Sequence, residues 1–219
     1  MKRGIKIILL GCLLFMATTA SAHQPFYVAK ADYTAVSEPE VSKAYYGLLP
    51  GKPAKFVIAT TTPFDLYVGL LVPDLPNAAK NISAYIIYQD GTVVAKLSGE
   101  NFTWTKWHEE FAGDDYWQGP EFRAKMPAGT YTISVSSPHN WDRYVLAVGE
   151  RESFPLSGLL ATERQIYAMK TQFFGKPWHS IFEGKIGRYE LYGLGAVALV
   201  LIIILFLWRV IRRKPKNKS

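Results

Sequence analysis

The sequence predicts a mainly β protein: an antiparallel β-sandwich, an amphipathic helical segment behind it, and one C-terminal transmembrane helix. Three observations carry this. Apolar and polar residues alternate with a period of two through much of residues 23–152. Turn residues such as Pro50-Gly51, Asp90-Gly91 and Pro127-Ala128-Gly129 break the alternation at short intervals. Near the end, Leu191 to Trp208 runs for 18 residues without a charge and is followed by six basic residues.

The chain opens like a secretory signal over residues 1–22. Lys2, Arg3 and Lys6 precede the apolar run Ile7 to Met16, and Ala20-Ser21-Ala22 supplies small residues for a cut after Ala22. Ten helical residues rise only about 15 Å, half of a hydrocarbon core, so the run is too short for a stable span. Leu9-Leu10-Gly11-Cys12 also reads as a lipoprotein box, although that cut would leave little apolar run before it. Cleavage after Ala22 would remove Cys12, the single cysteine, so stability would come from a buried core and not from disulfides. The 6 Trp, 13 Tyr and 12 Phe of the chain supply large areas for that core.

The strands follow in order. Phe26 to Ala29, Ala44 to Leu48 and Lys55 to Thr60 are β-prone. Phe64, Leu66, Val68 and Leu70 fall on one face of the next strand. Ser83 to Tyr88 and Thr92 to Leu97 flank Asp90-Gly91, a strong hairpin signal. Thr103 to Trp107 and Glu121 to Ala124 come next. Tyr131, Ile133 and Val135, then Tyr144, Leu146 and Val148, define the inward sides of the last two strands.

At Phe154 the period changes to that of a helix. In residues 153–190, Ser153 can cap a helix with Pro155 in its first turn. Leu156, Leu159, Leu160, Tyr167, Phe173 and Phe174 share one face, and Gly175-Lys176-Pro177 ends it. Trp178, Ile181, Phe182, Ile186 and Tyr189 then recur at spacings of three and four. This segment is expected as a stalk or membrane-interface helix, or equally as a helix packed under the sandwich. Residues 191–211 form the span, bracketed by Tyr189, Tyr192 and Trp208, and 212–219 form a basic cytoplasmic tail.

Charge excludes one class of function. The net charge is +7, but the region between Asp32 and Glu190 holds all 18 acidic residues and 16 of the 25 basic ones, a net −2. The remaining basic residues flank the two apolar segments, where they set orientation: N-terminus outside, C-terminus in the cytoplasm. A mildly acidic body has no footprint for a phosphate backbone, so nucleic acid is not an expected partner.

Met126-Pro127-Ala128-Gly129-Thr130-Tyr131-Thr132-Ile133-Ser134-Val135-Ser136 is followed by Arg143-Tyr144-Val145-Leu146-Ala147-Val148-Gly149. This pattern resembles the closing strands of the bacterial pre-peptidase C-terminal type of jelly-roll domain. The whole layout, with a mature end beginning His-Gln-Pro, is similar to a group of uncharacterised bacterial membrane-anchored β-sandwich proteins. The first resemblance implies a jelly-roll-like ectodomain of a non-catalytic, binding kind; the second implies architecture and no activity.

Three groups of side chains could carry function. His23 would become the mature N-terminus, and its α-amine and imidazole would suit Cu(II), with His108 or His139 as a further ligand. Glu109, Glu110, Asp114 and Asp115 place four carboxylates around Gly113, a possible calcium loop, although the spacing is not that of an EF-hand. Trp104, Trp107, Tyr116 and Trp117 lie in an aromatic-rich stretch suited to a protein or glycan surface. Trp104 and Trp107, three apart in a strand, face opposite sides, so one of them is expected to be exposed. No Gly-x-Ser-x-Gly elbow, phosphate-binding glycine loop or CxxC zinc pattern is present. The expectation is a membrane-tethered, extracytoplasmic, non-enzymatic module binding a protein or glycan, with a copper protein as the alternative.

Overall fold

The computed structural model describes residues 23–153 and 159–212. The signal segment, Pro155, Leu156 and the end of the basic tail lie outside the described residues.

Eleven strands form two packed sheets. In chain order they are β1 (Gln24–Ala29), β2 (Tyr33–Val36), β3 (Lys43–Leu48), β4 (Ala54–Thr60), β5 (Phe64–Pro73), β6 (Ser83–Tyr88), β7 (Val93–Leu97), β8 (Thr105–Glu109), β9 (Asp114–Met126), β10 (Gly129–Ser136) and β11 (Arg143–Val148). One sheet has the order β1-β3-β11-β5-β9-β8, the other β2-β4-β10-β6-β7. From β3 to β6 the chain changes sheet at every connection. The expected hairpin at Asp90-Gly91 joins β6 to β7 within one sheet. Neighbours pair antiparallel except at two edges, where β1 joins β3 and β2 joins β4 in parallel.

The inner faces meet as the alternation predicts. Phe64, Leu66, Val68, Leu70 and Val72 of β5 face Phe56 and Ile58 of β4, Tyr131, Ile133 and Val135 of β10, and Ile86 of β6 in one apolar cluster. Burying such side chains contributes about 1.5–3 kcal/mol each, before chain entropy opposes it.

The six-stranded sheet is covered on its other face as well. Tyr144 to Val148 are all buried, as are Ala44, Tyr45 and Tyr46. The cover is α1 (Leu159–Ala168), a π-helical turn (Met169–Phe173) and a 3₁₀ turn (Trp178–Phe182). Ile166, Met169, Phe173 and Phe174 pack with Ala44, Tyr46, Tyr116 and Val145 in a second cluster. Of the arrangements open for residues 153–190, this is the packed one. Gly175, at φ +68°, ends the π-helical turn at the expected stop.

The long helix α2 (Lys185–Arg212) starts before the charge-free run and contains a stretch, Lys185–Val210, long and apolar enough to cross a membrane, with its apolar window unburied. Its first turn is joined to the sandwich. The N–H groups of Lys185 and Ile186 donate to the carbonyls of Glu110 and Phe111 at 2.9 and 3.2 Å, using donors that a helix start otherwise leaves orphaned.

Candidate functional site

The register of the six-stranded sheet builds a trough on its covered face. Pro25, Ala44, Ala147, Gly69 and Glu121 are consecutive neighbours across five strands. Four of these five are small or cyclic, so the row leaves depth above the sheet. The adjoining row, Tyr27, Tyr46, Val145, Leu71 and Gln118, is tall and forms one bank. Tyr67 forms the opposite bank, its ring lying over Gly69, where a Cβ would meet the Tyr67 hydroxyl at 2.5 Å. Ile166 and Met169 roof the trough from the helical layer, and Trp107, Phe111 and Ala112 close one end. The cavity is about 90 Å³ and partly open to solvent.

A bulge supplies its polar wall. Gly69 pairs with Glu121 but Leu71 pairs with Gln118, so Gly119 and Pro120 together oppose the single Leu70 and β9 carries one extra residue. Pro120 has no N–H to give a ladder, and a Cβ at Gly119 would lie 2.4 Å from the Trp104 ring. The extra residue turns Gln118 and Glu121, three apart, onto the same face. Gln118 Nε2 and the Tyr67 hydroxyl donate to Glu121 at 3.2 and 3.0 Å, and Arg123 pairs with Glu121 at 2.7 Å and Glu150 at 2.9 Å. The Arg123 guanidinium sits 4.5 Å above the Tyr67 ring. Burial, with Glu121 adding to it, pushes the Tyr67 phenol up, so it acts as a neutral donor.

His23 completes the wall beside Tyr67, their ring centres 6.4 Å apart. Burial lowers its pKa despite the nearby Glu150 and Glu121, so the imidazole is neutral. Its Nε2 is buried and has no hydrogen-bond partner among the described residues. Such a group is costly unless something bonds to it.

At the closed end, the turn between β8 and β9 is fixed from several sides. Glu109 accepts from the N–H groups of Phe111 and Ala112 at 2.7 Å each, and burial raises its pKa. Lys170, fully buried, donates to the Ala112 carbonyl at 2.6 Å and pairs with the equally buried Asp114 at 2.8 Å. Lys176 bridges Asp114 and Glu183 at 2.9 and 3.0 Å. The π-helical turn packs Lys170 beneath the helical layer. Gly113, at φ +74°, lets the turn pass against Gly184, leaving no room for a Cβ between them.

Thus His23, Trp107, Glu109 and Tyr116, drawn from all three sequence-level groups, line one cavity. The other residues lie elsewhere. Trp104 is in the inner core, its indole N–H donating to the Gly99 carbonyl at 3.1 Å, so Trp107 is the outward member of that pair, as the spacing requires. Trp117 is on the inner side of β9, donating to Asp74 at 2.7 Å with the Lys80 ammonium 3.0 Å from its ring centre. The acidic stretch is a strand end, a tight turn and a strand start, and its alternation separates the four carboxylates. Asp114 points to the lysines of the helical layer, Asp115 to His108 at 2.8 Å on the exposed edge, Glu110 pairs with Lys185, and Glu109 caps the turn. His139 is exposed in the β10–β11 loop. Among the described residues, no three His, Cys, Asp or Glu side chains converge on one point suited to a metal.

Sequence reasoning missed Tyr46, Tyr67 and Gln118, and did not connect Glu121 or the packed helix it allowed for to this site. Two signals pointed to them: the unbroken apolar run Tyr144 to Val148, which marks a strand buried on both faces, and Gly119-Pro120 inside a strand.

No protein-family model matches the chain, and no curated protein does. Solved structures similar to it include the pre-peptidase C-terminal domain of a collagenase from Bacillus anthracis, at 7% identity and a TM-score of 0.34, covering 53% of this chain and 93% of that one. The catalytic domain of an α-1,3-glucanase in complex with tetrasaccharides matches at 17% identity and a TM-score of 0.26, over 50% of this chain and 22% of that one. A β-glucosidase from Paenibacillus barengoltzii matches at 9% identity and a TM-score of 0.25, over 60% and 14% of the two chains. At these values none of the three carries an argument about what this chain binds.

Proposed function

We propose that this is a membrane-tethered, extracytoplasmic, non-enzymatic binding module that recognises a partner protein through the cavity beside His23. In this reading the signal is cut after Ala22, α2 crosses the membrane with the sandwich outside, and the basic tail is cytoplasmic. The strand orders β3-β11-β5-β9 and β4-β10-β6-β7 support describing the sandwich as a jelly roll, and the tethered layout is in keeping with the uncharacterised bacterial membrane-anchored β-sandwich proteins it resembles.

The observation that carries the reading is a preformed, largely apolar and aromatic cavity in whose wall Glu109, Glu121 and Tyr67 are already hydrogen-bonded, beside the buried imidazole of His23. A pocket of this kind takes a single anchoring group, as the central pockets of protein interfaces do. A glycan suits it less well. A sugar ring needs several free hydrogen-bonding groups, and here Glu121 and Glu109 are already engaged.

The test places a photo-crosslinking residue at position 107 in the full chain in native membranes. A protein adduct should form, disappear when Ala147→Phe fills the cavity, and persist in Trp117→Ala. An adduct indifferent to Ala147→Phe, or a glycan adduct alone, would count against the reading.

One observation favours a second reading: burial holds the His23 imidazole neutral, the state in which it ligates a metal. With the α-amine freed by cleavage, His23 would bind Cu(II). Titration of the processed chain should then show tight binding that one additional residue before His23 abolishes; equal affinity in both forms removes this reading.

A further inference from the structure

We infer that the helical layer is also a membrane-binding surface: its exposed side rests on the lipid headgroups of the bilayer that α2 crosses, with Tyr167 and Trp178 as interfacial anchors. This rests on α2 being a span.

From Leu191 to Val210 the helix rises about 30 Å, the thickness of a hydrocarbon core, so Glu190 stands at the edge of that core. The helical layer is tied to α2 at the same edge. Glu163 of α1 is hydrogen-bonded to Glu190. Gly187, about 6 Å above Leu191 along the axis, has no room for a Cβ against the Ile181 carbonyl, so the 3₁₀ turn crosses α2 there in backbone contact. The headgroup zone is about 5–8 Å deep on each side of the core, and both contacts fall within it. Tilt changes this little: at about 20°, a group 8–10 Å to the side of the axis moves by about 3 Å. No free length of helix is left between these contacts and Leu191 to lift the sandwich off the surface.

The side chains suit that position. Among the described residues of the helical layer, the large apolar side chains left exposed are Tyr167 and Trp178, and Tyr189 and Tyr192 are exposed at the base of α2. Tyrosine and tryptophan are the residues that membrane interfaces collect, an apolar ring carrying one polar atom for the wet headgroup zone. The five-stranded sheet, on the far side of the molecule from the helices, exposes the aliphatic Val93 and Val94 instead. Arg164 and Arg188, beside the Glu163–Glu190 pair in the chain, are also exposed, and guanidinium groups at this level donate to lipid phosphates. The layer thus packs on the sheet through Ile166, Met169 and Phe173 and turns its amphipathic rings to the lipid.

The experiment uses the full chain in nanodiscs of phosphatidylcholine and phosphatidylglycerol. Cys12, the single cysteine, is replaced by serine, and a nitroxide is attached in turn to Tyr167→Cys, Trp178→Cys, Val93→Cys and Val200→Cys. Access to oxygen, which dissolves in lipid, is compared with access to a water-soluble nickel chelate. Burial in protein lowers both, whereas contact with lipid raises the ratio of oxygen to nickel. Position 200 is expected to give the highest ratio and 93 the lowest, with 167 and 178 between them and losing nickel access relative to 93. Adding Trp178→Glu to the chain labelled at 167 should shift its ratio towards that at 93; no shift would overturn the role of Trp178 as an anchor. A ratio at 167 or 178 equal to that at 93, with 200 still high, overturns the docking and leaves α2 as a span. A low ratio at 200 overturns the span and the docking together.

Discussion

The six-stranded sheet has two faces, and they are built by different rules. Its inner face meets the five-stranded sheet in a cluster made almost wholly of aliphatic and aromatic side chains in alternating positions. Its outer face meets a helical layer and contains a buried Lys170–Asp114 pair, a bulge, a π-helical turn, a cavity and an unbonded imidazole nitrogen. The inner layer is apolar but for its tyrosine hydroxyls, of which that of Tyr144 is buried without a hydrogen-bond partner among the described residues. The outer layer departs from the same rules repeatedly, and it does so around one cavity. Such local conflict is what binding sites leave in a structure.

The largest effect that would break the contrast is expected at Asp114. Asp114→Ala leaves Lys170 buried without its partner and should destabilise the fold by about 3–5 kcal/mol, measured by denaturant unfolding of the full chain in detergent. The double variant Asp114→Leu with Lys170→Met, which removes both charges, should recover most of that loss. If the double variant is no better than the single one, the pair is required for the outer layer to form.

Next come the apolar truncations. Ile133→Ala in the inner core should cost about 2–5 kcal/mol, whereas Ile166→Ala, beside an existing cavity with open space, should fall at the low end of that range. Equal losses would mean the outer layer is as tightly packed as the inner one.

These differences explain what was legible in the sequence. The inner face was legible because one period and one residue class define it: Phe64 to Leu70, Tyr131 to Val135 and Tyr144 to Val148 lie where their alternation places them. The short β2 was not, since Tyr33 and Ala35 are exposed and little marks the strand as one. The outer site was only partly legible. His23, Trp107, Glu109 and Tyr116 announce themselves by chemistry, but their convergence depends on strand order, and adjacent strands such as β3 and β11 are about 100 residues apart in the chain. Asp114 and Asp115 look alike in sequence; one residue of strand alternation buries the first and exposes the second.

Between pH 4 and 8 the two layers should also differ, because the inner core holds only tyrosines that burial pushes upward, out of that range. The outer layer holds groups with opposite slopes. His23 resists protonation when folded, while the unfolded imidazole takes a proton near its ordinary 6.5. The unfolded state therefore binds more protons below that pH, and stability falls as pH drops from 7 towards 5. His23→Asn should flatten this part of the stability–pH curve; an unchanged slope would place the proton uptake elsewhere.

The smallest expected effect lies where the helical layer meets the base of α2. Burial, together with a hydrogen bond and charge repulsion from Glu190, pushes the Glu163 carboxyl from 4.5 up to about 7. The folded state thus keeps a proton that the unfolded state has lost, so this contribution is complete below pH 4.5 and disappears as pH rises through about 7. Partial exposure limits its size. Glu163→Gln keeps a donor for Glu190 without the titration. Its Tm should match the native chain at pH 5 and exceed it at pH 8. Because Glu163 belongs to the sandwich cover and Glu190 to α2, the same pair at high pH should also weaken their contact, seen as faster amide exchange near the first turns of α2 in the native chain and not in Glu163→Gln. Exchange that is equally fast in both would show that the joint is held by the Glu110 and Phe111 carbonyls alone.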